Sequence, residues 1–336
     1  MCGIAGIRLH PDASPDGALA DLAARMADTL RHRGPDDHGA WADANAGLAL
    51  GHRRLAVIDL TDAGRQPMQT VDGRYAMVYN GEVYNYRELR RELEADGHQF
   101  RSQTDTEVVL TACAAWGPAA AARRFNGMFA FALWDRRDQR LTLVRDRVGI
   151  KPLYYGWCDT GLVFASELKA LRAVPGFDAA VDMKALGGFL RYGYVPAPYA
   201  IYDGVYKLPA GCLLTFDTSA RPAAFSPWPQ APSDAGAAAP EPFWSVAAVM
   251  RDAQQQPFTG PMDEAVTEFE RVLGQAVQRR LVSDVPLGCF LSGGIDSSLV
   301  AALMQAHTHG PVKTFAMGSD DELFDESDQA AAVAAH

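Results

Sequence analysis

Short apolar runs separated by polar turns dominate the larger, N-terminal part of the chain, and this pattern predicts strands joined in hairpins. Residues 127–134 and 140–145 flank the turn DRRDQ, and residues 153–157 and 162–165 flank a second polar turn. Residues 75–79 form a further apolar run of strand length. Strands paired in this way predict antiparallel sheets, each with one face turned towards a core.

Helical patterns lie between these strands. Leucine and methionine recur at helical spacing over residues 19–30, which predicts a helix with one apolar face. Asn85 with Glu88, and Thr104 with Glu107, resemble capping boxes, in which the first side chain caps a helix and the acid bonds back to it. The predicted fold of this part is therefore α+β, with antiparallel sheets covered by helices.

The C-terminal part has a different pattern. Apolar residues from 266 to 281 form one helical stripe, and an apolar run at 286–291, the turn SGGIDSS, a helical pattern at 299–304 and a run at 314–317 follow. Strand, glycine-rich turn, helix and strand make one βαβ unit of a parallel sheet. One such unit is too little for a doubly wound sheet, so we expect an incomplete α/β domain.

Composition changes sharply between Ser219 and Pro242. This stretch consists mostly of alanine, proline, serine and glycine, and its prolines exclude a helix or a central strand. We therefore expect a first domain over residues 2–218, a linker over residues 219–242 and the beginning of a second domain over residues 243–336.

Charge and composition exclude several classes of protein. The 336 residues include 31 Lys and Arg against 41 Asp and Glu, a net charge of −10, so neither a nucleic acid nor an anionic membrane is an expected partner. No apolar stretch has the length of a membrane span, and Arg8 and Pro11 interrupt any signal peptide. The 5 cysteines form no CxxC pair, which argues against a disulfide framework or a zinc site. A cytoplasmic protein is expected.

The cysteine at position 2 is the first candidate for chemistry. Removal of Met1 would make Cys2 the first residue and give it a free α-amino group, whose pKa is ordinarily about 8. A thiol beside such an amine can be activated without a histidine partner. The alternative is that Cys2 is an ordinary small core residue, because position 2 alone carries little information.

The segments that follow Cys2 favour the first interpretation. The chain contains CGIAGI, RHRGPDD, GHRRLAVID, YNGEVYN and SQTDTE in that order, and later FNGMFAFALWD, RDRVGIKPLYY and FASELKAL. Together they resemble the glutaminase domain of class II glutamine amidotransferases, which are N-terminal-nucleophile hydrolases. The resemblance extends to about Leu214. It implies stacked antiparallel sheets between helices, and hydrolysis of glutamine with Cys2 as the catalytic nucleophile.

The same resemblance implies roles for further residues. Asn80 and Gly81 would be catalytic as the oxyanion hole, through a side-chain amide and a backbone N–H. Arg54 would pair with the glutamine carboxylate, and Glu82 and Asp105 would surround the ammonium and the amide. A surface charge for Arg54 and a simple first-turn helix acid for Asp105 stay open as alternatives. The implied glutamine-binding residues are Arg54, Leu55, Ala56, Val57, Ile58, Asn80, Gly81, Glu82 and Asp105.

The segment SGGIDSS, Ser292–Ser298, is a second candidate site. Its glycines and serines, between a predicted strand and helix, offer N–H and hydroxyl groups to an anion. It lacks the lysine of a GxxxxGK[ST] loop and resembles the pyrophosphate-binding loop of ATP pyrophosphatases. That resemblance implies ATP, with Mg²⁺ bound near Asp296 through pyrophosphate; a plain turn with a helix cap is the alternative. The implied ATP-binding residues are Phe290, Leu291, Ser292, Gly293, Gly294, Ile295, Asp296, Ser297, Ser298 and Met317.

Both sites on one chain resemble glutamine-hydrolysing asparagine synthetases. This implies ammonia release from glutamine and ATP-dependent amidation of aspartate to asparagine through aspartyl-AMP. The expected small-molecule partners are glutamine, aspartate and ATP, and a homodimer is one expected assembly. A paralogue that amidates another carboxylate, and a chain that is only a glutaminase or a non-catalytic binding module, stay open. The acceptor cannot be read from this sequence, because the family's acceptor-binding residues are expected beyond His336.

Overall fold

The computed structural model describes residues 1–10, 19–217, 225–229, 238–321 and 325–336. Within these ranges the chain forms two compact units, Met1–Arg251 and Asp252–His336. No helix in the described ranges is long and apolar enough to cross a membrane.

Two six-stranded sheets form the centre of the first unit, and within the described residues every pairing in them is antiparallel. The strands are β1 (Gly3–Leu9), β2 (Asp37–Asp43), β3 (Leu48–Arg54), β4 (Met68–Gln69), β5 (Tyr75–Val83), β6 (Gly127–Asp135), β7 (Arg140–Arg145), β8 (Tyr154–Cys158), β9 (Gly161–Ala165), β10 (Val205–Lys207), β11 (Cys212–Asp217) and β12 (Glu241–Pro242). One sheet has the order β10-β8-β9-β1-β3-β2, and the other has the order β12-β11-β7-β6-β5-β4. The predicted hairpins β6–β7 and β8–β9 are confirmed.

Seven α-helices begin within the described residues of the first unit. They are α1 (Leu19–Asp28), α2 (Tyr86–Ala95), α3 (Asp105–Trp116), α4 (Pro118–Arg124), α5 (Leu168–Leu171), α6 (Met183–Tyr192) and α7 (Val246–Gln255). Helices α1 and α5 pack on the sheet of β1, β3 and β9, whereas α3 and α4 pack on β5 and β7 of the other sheet. The predicted α+β architecture is therefore confirmed.

The two-residue period of β1 and β3 explains the layering. Ile4 and Leu50 are fully buried in the core between the sheets, together with Trp134 of β6. The neighbouring Ala5 and Ala49 face the other way and pack with α1. Because successive side chains on a strand point to opposite faces, a strand with two buried faces reads as a continuous apolar run.

The two predicted helix caps have different outcomes. Thr104 caps α3, because its hydroxyl accepts a hydrogen bond from the N–H of Thr106 at 3.2 Å. The second half of the predicted capping box does not form, because the Glu107 carboxylate accepts from the N–H groups of Arg101 and Ser102 instead.

Asn85 stands at the N-terminus of α2 but makes no capping bond there. Its amide instead donates to the carbonyl of Arg124 and accepts from the N–H of Asn126 at 2.8 Å, so it joins two segments that are distant in sequence.

Part of the predicted linker packs against the first unit. Of residues 219–242, the structure describes 225–229 and 238–242. Phe225 lies edge-on to Trp157 with ring centroids 4.6 Å apart, and it bridges to Ala238. Glu241–Pro242 pairs with β11. These aromatic and strand contacts attach the described parts of residues 219–242 to the first unit, although the proline content of this stretch predicts a linker.

The second unit contains the predicted βαβ arrangement. Its elements are α8 (Met262–Arg279), β13 (Gly288–Phe290), α9 (Ile295–Ala306), β14 (Lys313–Phe315) and α10 (Ser327–Ala335). Strands β13 and β14 pair in parallel, and α9 connects them. In the described part of this unit, these two strands are the whole of the sheet.

Candidate active site

A cavity of about 140 Å³ opens in the first unit where β1 and β3 of one sheet approach β5 of the other. It is lined by the sequence-predicted residues Cys2, Arg54, Leu55, Val57, Ile58, Asn80, Gly81, Glu82 and Asp105. Ala56 is the one sequence-predicted glutamine-binding residue that does not line this cavity. Its N–H donates a hydrogen bond to the carboxylate of Asp36 at 2.9 Å. The structure therefore brings together residues that are up to about a hundred positions apart in the sequence.

Cys2 lies directly before β1, and its thiol is held by the backbone of Leu55. The N–H of Leu55 donates to Sγ at 3.4 Å, and the thiol donates to the Leu55 carbonyl at 3.6 Å. Arg33 donates to the carbonyl of Cys2 at 2.9 Å. Burial raises the pKa of the Cys2 thiol, whereas the Leu55 N–H and the positive N-terminus oppose that rise. A nucleophilic role therefore needs nearby positive charge or a base.

Asn80 carries an amide that is buried without a partner. The residue is 1% exposed, and neither its Nδ2 nor its Oδ1 has a hydrogen-bond partner among the described residues. Leaving a buried polar group unpaired costs about 1–3 kcal/mol, so such a group in a cavity indicates a site prepared for a ligand. Gly81 follows it, and a Cβ at Gly81 would lie 2.5 Å from the carbonyl oxygen of Met128. Only glycine fits this strand position.

His52 supports the backbone next to Asn80. Its Nε2 lies 3.1 Å from the carbonyl oxygen of Tyr79, which belongs to the same peptide unit as the Asn80 N–H. Burial lowers the pKa of His52 to about 4, so the imidazole is neutral near pH 7 and Nε2 donates this bond. Its Nδ1 is buried without a partner among the described residues.

Asp105 is the first residue of α3 and also faces the cavity, so both sequence-based roles apply to it. Its carboxylate accepts hydrogen bonds from the Tyr79 hydroxyl at 2.8 Å and from the Val83 N–H at 2.9 Å. Burial raises the pKa of the Asp105 carboxyl, and these hydrogen bonds act against that rise. The carboxylate is thereby positioned for a cationic group in the cavity.

Arg54 is not the surface charge that was left open as an alternative. It is 6% exposed, and its guanidinium donates to the backbone carbonyls of Ile58, Asp59 and Thr61. A Cβ at Gly64 would lie 2.1 Å from Nη2 of Arg54, so the turn closes tightly around the guanidinium. These three contacts use some of its five N–H donors, which leaves others for a ligand in the cavity.

Several lining residues were not found from the sequence; they are Met1, Gln66, Tyr79, Thr104, Thr106, Met128 and Lys151. Gln66 acts through the backbone, because its Oε1 accepts from the Tyr79 N–H at 2.6 Å. Lys151 lies within the segment RDRVGIKPLYY, which indicates the family but gives this lysine no role. Only the folded structure indicates a function for Lys151, because it shows that this lysine is 4% exposed and lines the cavity.

A second cavity, of about 580 Å³, lies in the second unit. The sequence-predicted residues Phe290, Leu291, Ser292, Ser297 and Met317 line it. The aromatic ring of Phe290 and the side chain of Met317 are 86% and 89% exposed, so they are wall residues and not core residues. Leu291, at 3% exposed, is a core residue that also lines this cavity.

The other predicted residues of this site, which are Gly293, Gly294, Ile295, Asp296 and Ser298, adjoin the cavity without lining it. Gly293 has a φ of +80°, and the Ser298 hydroxyl is buried without a partner among the described residues. Both observations fit an anion-binding turn at the N-terminus of α9. The described residues contain no group of three or more metal-ligating side chains, so a Mg²⁺ ion here would need phosphate oxygens as ligands beside Asp296.

Two antiparallel sheets between layers of helices, with a cysteine before the first strand that faces a cavity, define the fold class of the N-terminal-nucleophile hydrolases. A family model described as glutamine amidotransferase domain matches residues 1–226, and one described as asparagine synthase matches residues 268–336. The first match covers more than half of the chain. The protein therefore belongs to the glutamine amidotransferase family.

Curated relatives extend this similarity over nearly the whole chain. The chain is 35% identical over 337 residues to the glutamine-hydrolyzing asparagine synthetase 3 of Bacillus subtilis strain 168. The aligned region covers 97% of this chain and 50% of that protein. The chain is also 35% identical over 336 residues to asparagine synthetase 1 of the same strain, which covers 100% of this chain and 48% of the relative. The chain thus spans about half the length of these curated relatives.

Among solved structures, the fold is similar to a glutamine phosphoribosylpyrophosphate amidotransferase from B. subtilis, complexed with ADP and GMP. The TM-score is 0.47 at 20% sequence identity, over 64% of this chain and 47% of the other.

Proposed function

We propose that the first unit hydrolyses glutamine to glutamate and ammonia, with Cys2 as the nucleophile. The observation that carries this proposal is the buried, unpartnered amide of Asn80 in the same cavity as the Cys2 thiol. A site that hydrolyses an amide must stabilise an oxyanion, and a preorganised N–H donor in a dry cavity does so most effectively. The membership of the glutamine amidotransferase family supports the choice of substrate.

The proposed reaction begins once Met1 has been removed. The thiol of Cys2 adds to the δ-carbonyl carbon of glutamine while its proton moves to the Cys2 α-amine. The oxygen becomes an oxyanion, which accepts hydrogen bonds from the Asn80 amide and the Gly81 N–H. The amine then protonates the leaving nitrogen, so ammonia departs and a thioester forms. Water cleaves the thioester by the same proton path, which releases glutamate and restores the thiol.

Substrate recognition follows from the charges that line the cavity. Arg54 would bind the α-carboxylate of glutamine through the guanidinium N–H groups that the turn carbonyls leave free. Asp105, whose carboxylate faces the cavity, would bind the α-ammonium group, with Glu82 beside it. The walls formed by Leu55, Val57 and Ile58 would exclude water from the aliphatic part of the substrate.

For the second unit we propose a part in the ATP-dependent amidation of aspartate to asparagine, with ammonia from the first unit. The match to the asparagine synthase family over residues 268–336 supports this proposal. The turn Ser292–Ser298 would hold the pyrophosphate of ATP, with Mg²⁺ beside Asp296, and Phe290 and Met317 would contact the adenosine. The proposed setting is the cytoplasm, with glutamine, aspartate and ATP as small-molecule partners and a homodimer as the assembly.

The test is glutamate release from glutamine by the protein and by Cys2→Ala, together with mass spectrometry of the N-terminus. We expect loss of Met1 in the active protein, and loss of glutamine hydrolysis in Cys2→Ala because no thiol remains to attack. Cys158→Ala is the matched control, since Cys158 is also partly buried but bonds to Thr160 and Gly161 outside the cavity. Near-normal glutamate release by Cys2→Ala would refute the proposal.

A further inference from the structure

Lys151 is an almost fully buried cation in the proposed glutamine cavity. It is 4% exposed and lines the cavity together with Cys2 and Glu82. No carboxylate in the described part of the chain lies within 4.0 Å of its ammonium group. A buried lysine is ordinarily paired, because burying an unpaired charge is costly. An unpaired lysine at this place therefore points to a function in the cavity.

The turn between β7 and β8 is built to hold this lysine in place. The fully buried Asp146 accepts hydrogen bonds from the N–H groups of Ile150 and Lys151, both at 2.9 Å. Arg145 donates to the carbonyl of Lys151 at 2.8 Å. Gly149 supplies the left-handed backbone, with a φ of +71°, that the turn requires. These hydrogen bonds fix the backbone on both sides of Lys151, and they thereby fix the position of this lysine beside the cavity.

The other charges near Cys2 are already engaged. Arg33 pairs with Glu167 at 2.9 Å, and Arg54 is bound by backbone carbonyls. Asp36 accepts from the Ala56 N–H. Among the described cations that face Cys2 and the Met1 amine, Lys151 is the one with neither an ion pair nor a carbonyl partner for its charged group.

A protonated lysine acts on both groups of the nucleophile in the same direction. It disfavours a second positive charge on the amine, and it favours a negative charge on the thiol. In the chain that carries Met1, burial lowers the pKa of the Met1 amine, Cys2 opposes this, Lys151 and Arg33 lower that pKa further, and Asp36 raises it. Removal of Met1 would transfer the free amine to Cys2, next to the same charges. Burial lowers the pKa of the Lys151 ammonium group and Arg33 lowers it further, whereas Cys2, Glu82 and Asp146 act against that shift and favour its protonated form.

We propose that Lys151 is a positioning residue for the nucleophile: its unpaired ammonium group favours the deprotonated thiol and amine of Cys2 near neutral pH. The inference rests on the proposed attack by Cys2 in glutamine hydrolysis. Because the thiol and the amine are coupled, the effect belongs to the pair and is measured as one shift.

The experiment compares the protein with Lys151→Met, which removes the charge at similar length, and with Lys151→Arg, which keeps it. Two pH profiles are measured: kcat/KM for glutamine, and the rate of alkylation of Cys2 by iodoacetamide, followed by mass spectrometry. For Lys151→Met we expect the acidic limb of both profiles to move up by about one pH unit, the order expected for loss of one nearby charge in a partly desolvated site. Lys151→Arg should retain the original limb. Lys184→Met, which removes an exposed lysine on α6, is the matched control and should change neither profile.

A lowered rate with an unmoved acidic limb would overturn the proposal, because a merely structural role changes the rate without changing the titration. If Lys151→Met does not fold by circular dichroism, Lys151→Gln serves as the neutral variant in the same comparison. The alkylation profile does not require turnover. An alkylation shift in a protein that hydrolyses no glutamine would therefore refute the proposed function while supporting the electrostatic role of Lys151.

Discussion

At the scale of single residues, the unusual features of the first unit are concentrated around one cavity. Asn80 and His52 both bury polar atoms that have no partner among the described residues. Unpartnered buried polar atoms lower the free energy of unfolding and are rare in folded proteins. Their presence on the neighbouring strands β5 and β3 indicates that this loss of stability is retained for function. The sequence motifs identified Asn80 through a family resemblance, but not His52, whose role depends on a contact between two sheets.

The unpartnered amide of Asn80 predicts a separation of activity from stability. Asn80→Ala should lower kcat/KM for glutamine by about 100- to 1000-fold, the usual cost of removing an oxyanion-hole donor. Its free energy of unfolding, measured by urea titration, should not fall by more than about 1 kcal/mol, because no existing hydrogen bond is lost.

Asn85→Ala is the matched control for this prediction. Its amide makes two hydrogen bonds, to the Arg124 carbonyl at 3.0 Å and from the Asn126 N–H at 2.8 Å. We expect it to lose about 1–3 kcal/mol of stability and to keep its activity. If both variants lost stability equally, the interpretation of Asn80 as a preorganised donor would be wrong.

His52 predicts a particular pH dependence of stability. Its pKa is about 4 in the folded protein and 6.5 as an ordinary histidine. Above pH 6.5 both states are neutral, so stability from this residue is fully present. As the pH falls from 6.5 to 4, the unfolded state binds a proton that the folded state does not bind, and up to about 3 kcal/mol is lost.

We expect His52→Gln to show a flatter loss of stability over this pH range, as measured by urea unfolding at successive pH values. Asp105, whose carboxyl pKa is raised by burial, has the opposite sign and is present in both proteins, so it cancels in the comparison. Parallel curves for the two proteins would contradict the assignment of a neutral, buried imidazole to His52.

At the scale of elements, local pattern predicted the hairpins and the βαβ unit, but not the order of strands in the sheets. Residues 127–134 and 140–145 form β6 and β7, and they could be predicted because the two apolar runs and the turn between them lie within one short segment. Strand β1, in contrast, lies between β3 and β9. That placement depends on pairings such as Gly3 with Arg53 and Ala5 with Ala165, which are distant in sequence and which no local period encodes.

The turn before α9 predicts different responses from its two glycines. Gly293 has a φ of +80°, and a Cβ there would lie 2.5 Å from Cβ of Gln329. Gly294 has an ordinary φ of −73°, and a Cβ there would meet the Ser292 hydroxyl at 3.4 Å. We expect Gly293→Ala to weaken binding of ATP with Mg²⁺ about tenfold or more in calorimetry, because the left-handed backbone alone costs about 1–2 kcal/mol.

Gly294→Ala should bind the nucleotide nearly as well as the unchanged protein, and both variants should keep their glutamine hydrolysis. Equal losses of nucleotide affinity in the two variants would show that the backbone of this turn does not form the binding site.

At the scale of the whole molecule, composition predicts a linker over residues 219–242 but does not reveal the contacts that this stretch makes. Phe225 packs against Trp157, and β12 pairs with β11. Both contacts join residues that are distant in sequence, so composition within a window cannot reveal them. The chain forms the two compact units Met1–Arg251 and Asp252–His336.

The exposed apolar residues of α8 in the second unit lead us to predict that the chain self-associates. Val266, Phe269 and Val272 of α8 are 56%, 61% and 50% exposed, and their spacing of three places them along one side of the helix. Neighbouring apolar side chains that face water favour association, because each buried methylene contributes about 0.8 kcal/mol.

We expect light scattering to show a mass that rises with protein concentration, and we expect the double variant Phe269→Glu with Val272→Glu to reduce that rise. Gln275→Glu adds a charge to an exposed position of α8 and is the control, which should associate like the unchanged chain. A mass that stays that of one chain at every concentration would show that this apolar side of α8 does not drive association.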